Sequence, residues 1–105
     1  GLAFKEDCPD IRNTKVIDIV NELNEYKCKV TVYDPWVDKL EAKNEYGIEL
    51  LDDTKSALYD AIVIAVAHKE FKQMGIEKIR ALGKPKHVVY DLKYLFPASQ
   101  VDKRL

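Results

Sequence analysis

Gly1-Leu2-Ala3-Phe4-Lys5-Glu6-Asp7-Cys8-Pro9-Asp10-Ile11-Arg12-Asn13-Thr14 is the stretch whose reading decides the fold. A short apolar run delivers Lys5 into an acidic turn carrying Asp7, Pro9 and Asp10, after which Arg12 opens a helix. In an α/β protein that order is strand, ligand-facing loop and helix start. Ligands of open parallel sheets sit at the carboxyl ends of strands. A cation just past a strand and another in the first turn of the next helix therefore both point toward a binding crevice. Such a pair suits an anion carrying phosphates.

Outward from this stretch, Val16, Ile19, Val20 and Leu23 fall at helical spacing, with Ile17 widening the stripe and Asp18, Asn21, Glu22 and Asn24 facing outward. The pattern predicts an amphipathic helix over 11–26, capped by Asp10, whose carboxylate can accept from the free amides of the first turn. Residues 27–34, rich in β-branched side chains and closed by Pro35, read as a second strand. A short helix from Pro35 to about Asn44 ends at Gly47, residues 48–51 form a third strand, and Asp52 and Asp53 cap a helix through Tyr59. The run 61–67 is apolar on both faces, as a central parallel strand covered on each side should be. His68 and Lys69 follow it, then helical turns over 71–74 and 76–82, broken by Gly75 and ended by Gly83 and Pro85. A last strand spans 87–91, and Leu92 to Phe96 turn away from it.

Five strands alternating with helices imply a three-layer, Rossmann-like α/β domain with a mostly parallel sheet in the order 3-2-1-4-5. The switch point then falls between the first and fourth strands, and Lys5, His68 and the Asp91–Lys93 turn are expected at one edge. An anion-binding crevice lined by Lys5, Arg12 and Lys93 is the consequence.

One domain, residues 1–105, is all that this length supports, and 47% apolar residues suffice for a single core. Seventeen basic against eighteen acidic side chains leave a net charge of −1, so bulk electrostatics ask for no nucleic acid. The longest apolar run is far short of the roughly 20 residues of a membrane span, and no membrane association is expected; the expected location is cytoplasmic. The chain starts without methionine inside what reads as a strand, as expected of a domain cut from a longer protein.

Other motifs have plainer explanations. Cys8 and Cys28 have neither CxxC spacing nor a histidine neighbour, so no zinc site and no disulfide is expected. Cys8 could be a catalytic thiolate, but an incidental small residue is the favoured reading. No GxGxxG follows the first strand, so this domain is not expected to bind NAD by itself in the Rossmann manner. Asp34 stands where a ribose-binding acid would, yet without those glycines it reads as a turn-former before Pro35. Lys5 is either a solvated lysine or a ligand contact. Arg12 sits where the helix dipole disfavours a cation, which hints at an anion partner. For His68 a polar cap on a central strand is preferred over an acid–base role, and for Trp36 packing is preferred over base stacking. No carboxylate dyad, nucleophile elbow or metal cluster is visible.

GLAFKEDCPDIRNTKVIDIVNEL, followed by VTVYDPW, NEYGIEL, AVAHKEF and VVYDLK, closely resembles the carboxyl-terminal, UDP-binding domain of the UDP-glucose/GDP-mannose dehydrogenase family. The likeness covers nearly the whole chain and is nearest the branch acting on UDP-N-acetylhexosamines for capsule, O-antigen or Vi polysaccharide. The resemblance implies an NAD-dependent four-electron oxidation of a sugar C6 alcohol to a carboxylate, in a parent chain expected to dimerise. It implies that NAD and the catalytic cysteine belong to the rest of that parent, that Phe4 and Lys5 contact the UDP-sugar, and that Arg12 reaches the NAD of the assembled enzyme. Lys93 matches the position where many members carry an arginine, after Asp-Gly, that binds the UDP phosphate; here the segment is Asp91-Leu92-Lys93. Cys8 does not match the catalytic cysteine. The alternative is a free-standing nucleotide-binding or regulatory α/β module without catalysis.

Overall fold

The computed structural model describes residues 1–104, which form two compact units, Gly1–Asp53 and the remainder from Thr54. In the first unit, α1 (Val16–Glu25) and α2 (Lys39–Tyr46) are the two helices. The periodicity of α1 is realised, with Val20 buried and its neighbours on the stripe half-buried. Its start is not where Asp10 was expected to place it. Lys15 occupies the cap position without a side-chain bond, and Thr14 Oγ1 accepts from Val16 N at 3.3 Å instead. Arg12 accordingly precedes α1 and does not open it. Lys27, at φ 63°, ends the helix as Cys28 N donates to Leu23 O at 3.1 Å. For α2 both ends follow their residues: Asp38 Oδ1 accepts from Glu41 N at 2.9 Å, and Gly47 takes the left-handed cap at φ 68°.

The three segments of this unit expected as strands yield one parallel bridge, Val32 with Leu50, supported by Leu51 N donating to Val32 O at 2.9 Å. Gly1–Phe4 forms no ladder. The backbone groups of buried Leu2 and Ala3 turn to side chains: Asp34 Oδ2 accepts from Leu2 N at 2.7 Å and Ala3 N at 3.0 Å, and Thr14 Oγ1 donates to Leu2 O at 2.7 Å. Buried backbone must be paired by something, and here two polar side chains do what a neighbouring strand was expected to do.

The second unit is an α/β layer: β1 (Tyr59–Ile64), α3 (Lys69–Arg80), β2 (Gly83–Asp91) and β3 (Lys103–Arg104), joined in a parallel sheet of order β1-β2-β3. Ile64, Ile79, Val89, Phe96 and Val101 make its core, with Ile62, Met74, Ile76 and Leu95 packed against them. Each fully buried side chain of this kind contributes about 1.5–3 kcal/mol. The strand expected over 61–67 ends at Ile64 because its partner ends there: Ile64 pairs with Asp91, Leu92 N donates to Ile64 O at 3.0 Å, and the chain then turns away. β2 starts earlier than expected and loops out between Gly83, opposite Tyr59, and Val88, opposite Ala61. The helix expected over 52–59 does not form. Ala57 N and Leu58 N donate instead to Ala81 O and Leu82 O, at 2.8 and 2.9 Å, which leads the chain directly into β1.

Candidate functional site

The loop of Phe4 to Asp10 is closed by Phe4 N donating to Asp10 O at 2.7 Å, and Asp7 turns it at φ 53°. Its entry is anchored by the Asp34 and Thr14 bonds to Leu2 and Ala3, so the loop leaves a fixed point in the core. Lys5 is exposed, and Phe4 beside it is 52% exposed, an unusual place for a large apolar ring. Asp10 fastens the far side: its Oδ1 accepts from Arg12 N at 2.8 Å and Nε at 3.1 Å, and its Oδ2 from Nη2 at 3.1 Å. Those side-chain hydrogen bonds, then the backbone one, hold the Asp10 carboxyl below the usual carboxylate range, and the same side-chain bonds, then the Asp10 charge, raise Arg12. Arg12 is therefore a brace of the loop as well as an exposed cation, 84% of its side chain remaining accessible.

In the second unit Asp91 is fully buried at the end of β2, where its Oδ1 accepts from Lys93 N at 3.1 Å and its Oδ2 from Phe96 N at 2.9 Å. The turn is thus pinned while the Lys93 side chain is exposed. Phe4 and Lys5 stand on one loop of the first unit, with Arg12 just beyond its end at Asp10, and Lys93 stands on the turn after β2 of the second.

His68 is fully buried, its ring 5.3 Å from that of Phe71, and its carbonyl accepts from Phe71 N at 3.0 Å as α3 begins. It stands at the N-cap position of α3 with no side-chain cap hydrogen bond, and it lies beyond the end of β1 at Ile64, so it is not the polar cap on that strand expected from the sequence. Asp34 is buried and accepts from Trp36 N through Oδ1 at 2.8 Å besides holding Leu2 and Ala3, so it is committed to the backbone as a turn-former. Cys8 and Cys28 are free thiols, half-buried and exposed. Among the described residues no group of three His, Cys, Asp or Glu could hold a metal ion, and no helix is long and apolar enough to cross a membrane.

Two residues by the Lys93 turn escaped the sequence reading. Tyr94, left-handed at φ 56° and 58% exposed, lies under the guanidinium of Arg104, whose carbon is 4.3 Å from the ring centroid. No spacing rule links positions 94 and 104; the parallel pairing of β2 with β3 brings them together.

A sequence model of the UDP-glucose/GDP-mannose dehydrogenase family, UDP binding domain, matches residues 1–98. The chain is 60% identical over 105 residues to the UDP-N-acetyl-D-glucosamine 6-dehydrogenase of Salmonella typhi, across 100% of this chain and 25% of that protein. It is 57% identical over 105 residues to the enzyme of the same name from Pseudomonas aeruginosa, with the same coverage. To Protein CapL of Staphylococcus aureus it is 41% identical over 102 residues, 97% of this chain and 24% of that one. The chain spans about a quarter of the length of these relatives. With the family match covering both the Lys5 loop and the Lys93 turn, the chain belongs to the UDP-binding domain of the UDP-glucose/GDP-mannose dehydrogenase family.

Proposed function

We propose that this chain is the UDP-sugar-binding domain of an NAD-dependent nucleotide-sugar 6-dehydrogenase. The parent enzyme oxidises the C6 alcohol of a UDP-hexose or UDP-N-acetylhexosamine to the uronate, for polysaccharide biosynthesis. The observation that carries this reading is 60% identity, over every residue of the chain, to a UDP-N-acetyl-D-glucosamine 6-dehydrogenase. Phe4 and Lys5 contact the UDP-sugar from the braced loop, and Lys93 meets a phosphate from the pinned turn. Both cations stand on fixed backbone, so little ordering remains to be done when an anion arrives.

NAD does not fit this chain alone. A pyrophosphate cradle needs glycines where a helix starts, and here Lys5, Glu6, Asp7 and Cys8 fill the loop while Thr14 occupies the first amide of α1. The cofactor belongs to the rest of the parent chain, with Arg12 reaching it in the assembled enzyme. The parent is a cytoplasmic homodimer that needs neither nucleic acid nor membrane. The sheet order 3-2-1-4-5 is the arrangement we propose for the domain there. The Val32–Leu50 bridge supports pairing of the third segment with the second, and the parallel β1–β2 pair supports that of the last two.

The test is a titration of this chain with UDP, followed by amide chemical shifts, beside a titration with NAD. Shifts confined to the surroundings of Lys5 and Lys93, with UDP only, are the expected result. An equal response to NAD, or silence toward millimolar UDP in both this chain and its full-length parent, overturns the reading.

A further inference from the structure

We propose that Arg104, stacked on Tyr94 beside Lys93, is a diphosphate-binding residue of the nucleotide site; this rests on the UDP-sugar reading above. The three strands of the second unit are parallel, so their carboxyl ends share one edge, the edge at which such sheets bind ligands. Register places Arg104 opposite Asp91, the residue from which the Lys93 turn hangs. Asp91 fixes that turn through Lys93 N and Phe96 N, and Leu92 N ties it to the end of β1. Tyr94 is held left-handed, a conformation non-glycine residues adopt only when their surroundings impose it, and its ring stays 58% exposed as a platform.

The three arginines of the chain differ in what they touch. Arg12 is engaged by Asp10 and Arg80 by Asp102. Arg104 lies on the Tyr94 face, and among the described residues neither it nor the Lys93 ammonium pairs with a carboxylate. Stacking holds the planar fork in one orientation while its N–H edge stays available, and that edge matches two phosphate oxygens at once; Lys93 adds only a point charge. The segment carrying Arg104 is itself anchored, because Arg80 Nη1 donates to Asp102 at 3.1 Å and Arg80 Nη2 to Gln100 O at 3.0 Å. An exposed pair of cations that no carboxylate engages among the described residues, on rigid backbone at a sheet's ligand edge, is suited to a diphosphate.

The experiment uses the full-length dehydrogenase carrying this domain, with UDP and uridine as competitive inhibitors. Arg104→Ala is expected to raise the KM for UDP-sugar and the inhibition constant of UDP about ten-fold. The KM for NAD, the melting temperature and the inhibition constant of uridine are expected to stay unchanged. Arg104→Lys should recover only part of the loss, and Tyr94→Leu should weaken UDP several-fold. Unchanged UDP inhibition in Arg104→Ala, with Lys5→Ala still weakening it, overturns the Arg104 assignment and leaves the domain reading standing. Equal losses for uridine and UDP overturn the phosphate contact. A wild-type enzyme indifferent to UDP overturns both.

Discussion

Asp34 and Asp91 occupy matching places in the two units. Each ends a Val-Tyr-Asp segment with its valine and aspartate buried. Each gives Oδ1 to the amide two residues on, that of Trp36 at 2.8 Å or Lys93 at 3.1 Å. Each gives Oδ2 to more distant backbone, Leu2 and Ala3 in one case and Phe96 in the other. The loop bearing Lys5 and the turn bearing Lys93 thus each have their own buried carboxylate as an anchor: Asp34, with Thr14, for the loop and Asp91 for the turn. Asp34→Asn keeps the shape but sets an NH2 against backbone N–H donors on one side. The expected cost is about 2–4 kcal/mol, read from urea unfolding; a change within about 0.5 kcal/mol, that of an ordinary surface substitution, would show that the carboxylate is not the anchor. The turn at Asp34-Pro35 was legible from the residues themselves. Its reach to Leu2 and Ala3 was not, because no local pattern announces a partner thirty residues away.

Helices declared themselves better than strands, and the physical reason lies in where their bonds go. α1, α2 and α3 make their backbone bonds within one segment, so periodicity finds them; a cap residue alone does not, since α1 does not start at Asp10 and no helix follows Asp52 and Asp53. A strand needs a partner that its own sequence does not contain, which is why residues 27–34 and 48–51 read as strands yet share one bridge. The break foreseen at Gly75 is real: within α3 it adopts φ 79° and ψ 159°, a region that is almost glycine's alone. A Cβ there meets nothing within 4 Å, so Gly75→Ala tests backbone strain without a clash. It is expected to destabilise the chain by about 1–3 kcal/mol in chemical unfolding; a neutral result would mean that α3 straightens at no cost. β3 went unseen because two residues carry no period, and it is held by Asp102, which accepts from Val89 N at 2.8 Å and from Arg80. The Val89 bond first, and Arg80 after it, hold the Asp102 carboxyl below the usual carboxylate range. A depressed carboxylate contributes stability that is present above its unfolded pKa and is lost as pH falls through the lower folded one. Asp102→Asn should therefore be less stable than wild type near neutrality, with the difference vanishing below the folded pKa as acid protonates the wild-type group. A gap that persists undiminished into strong acid would assign the effect to something other than charge.

For the whole molecule, the Lys5 and Lys93 positions could be placed on a loop and a turn from sequence. The chain spans about a quarter of the length of the relatives it matches, and on the proposed reading what these positions become together depends on the rest of a longer chain. The sugar-selecting contacts and the NAD site are expected in the remaining three quarters, so on the proposed reading this domain should be exchangeable between enzymes that share a nucleotide and differ in sugar. Replacing the matching quarter of the Salmonella typhi UDP-N-acetyl-D-glucosamine 6-dehydrogenase with these 105 residues tests that directly, because the match runs through the entire chain without requiring any other part of its parent. The chimera should form NADH from UDP-N-acetylglucosamine within about ten-fold of the host's rate, a difference of about 1.4 kcal/mol in the barrier, and keep the host's preference among sugars. Lys5→Ala in the chimera should raise the KM for the UDP-sugar with little change in the melting temperature. A folded chimera that binds NAD yet does not respond to UDP would show that the domain lacks the nucleotide site. A preference that moved away from the host's sugar would instead place sugar selection within these residues.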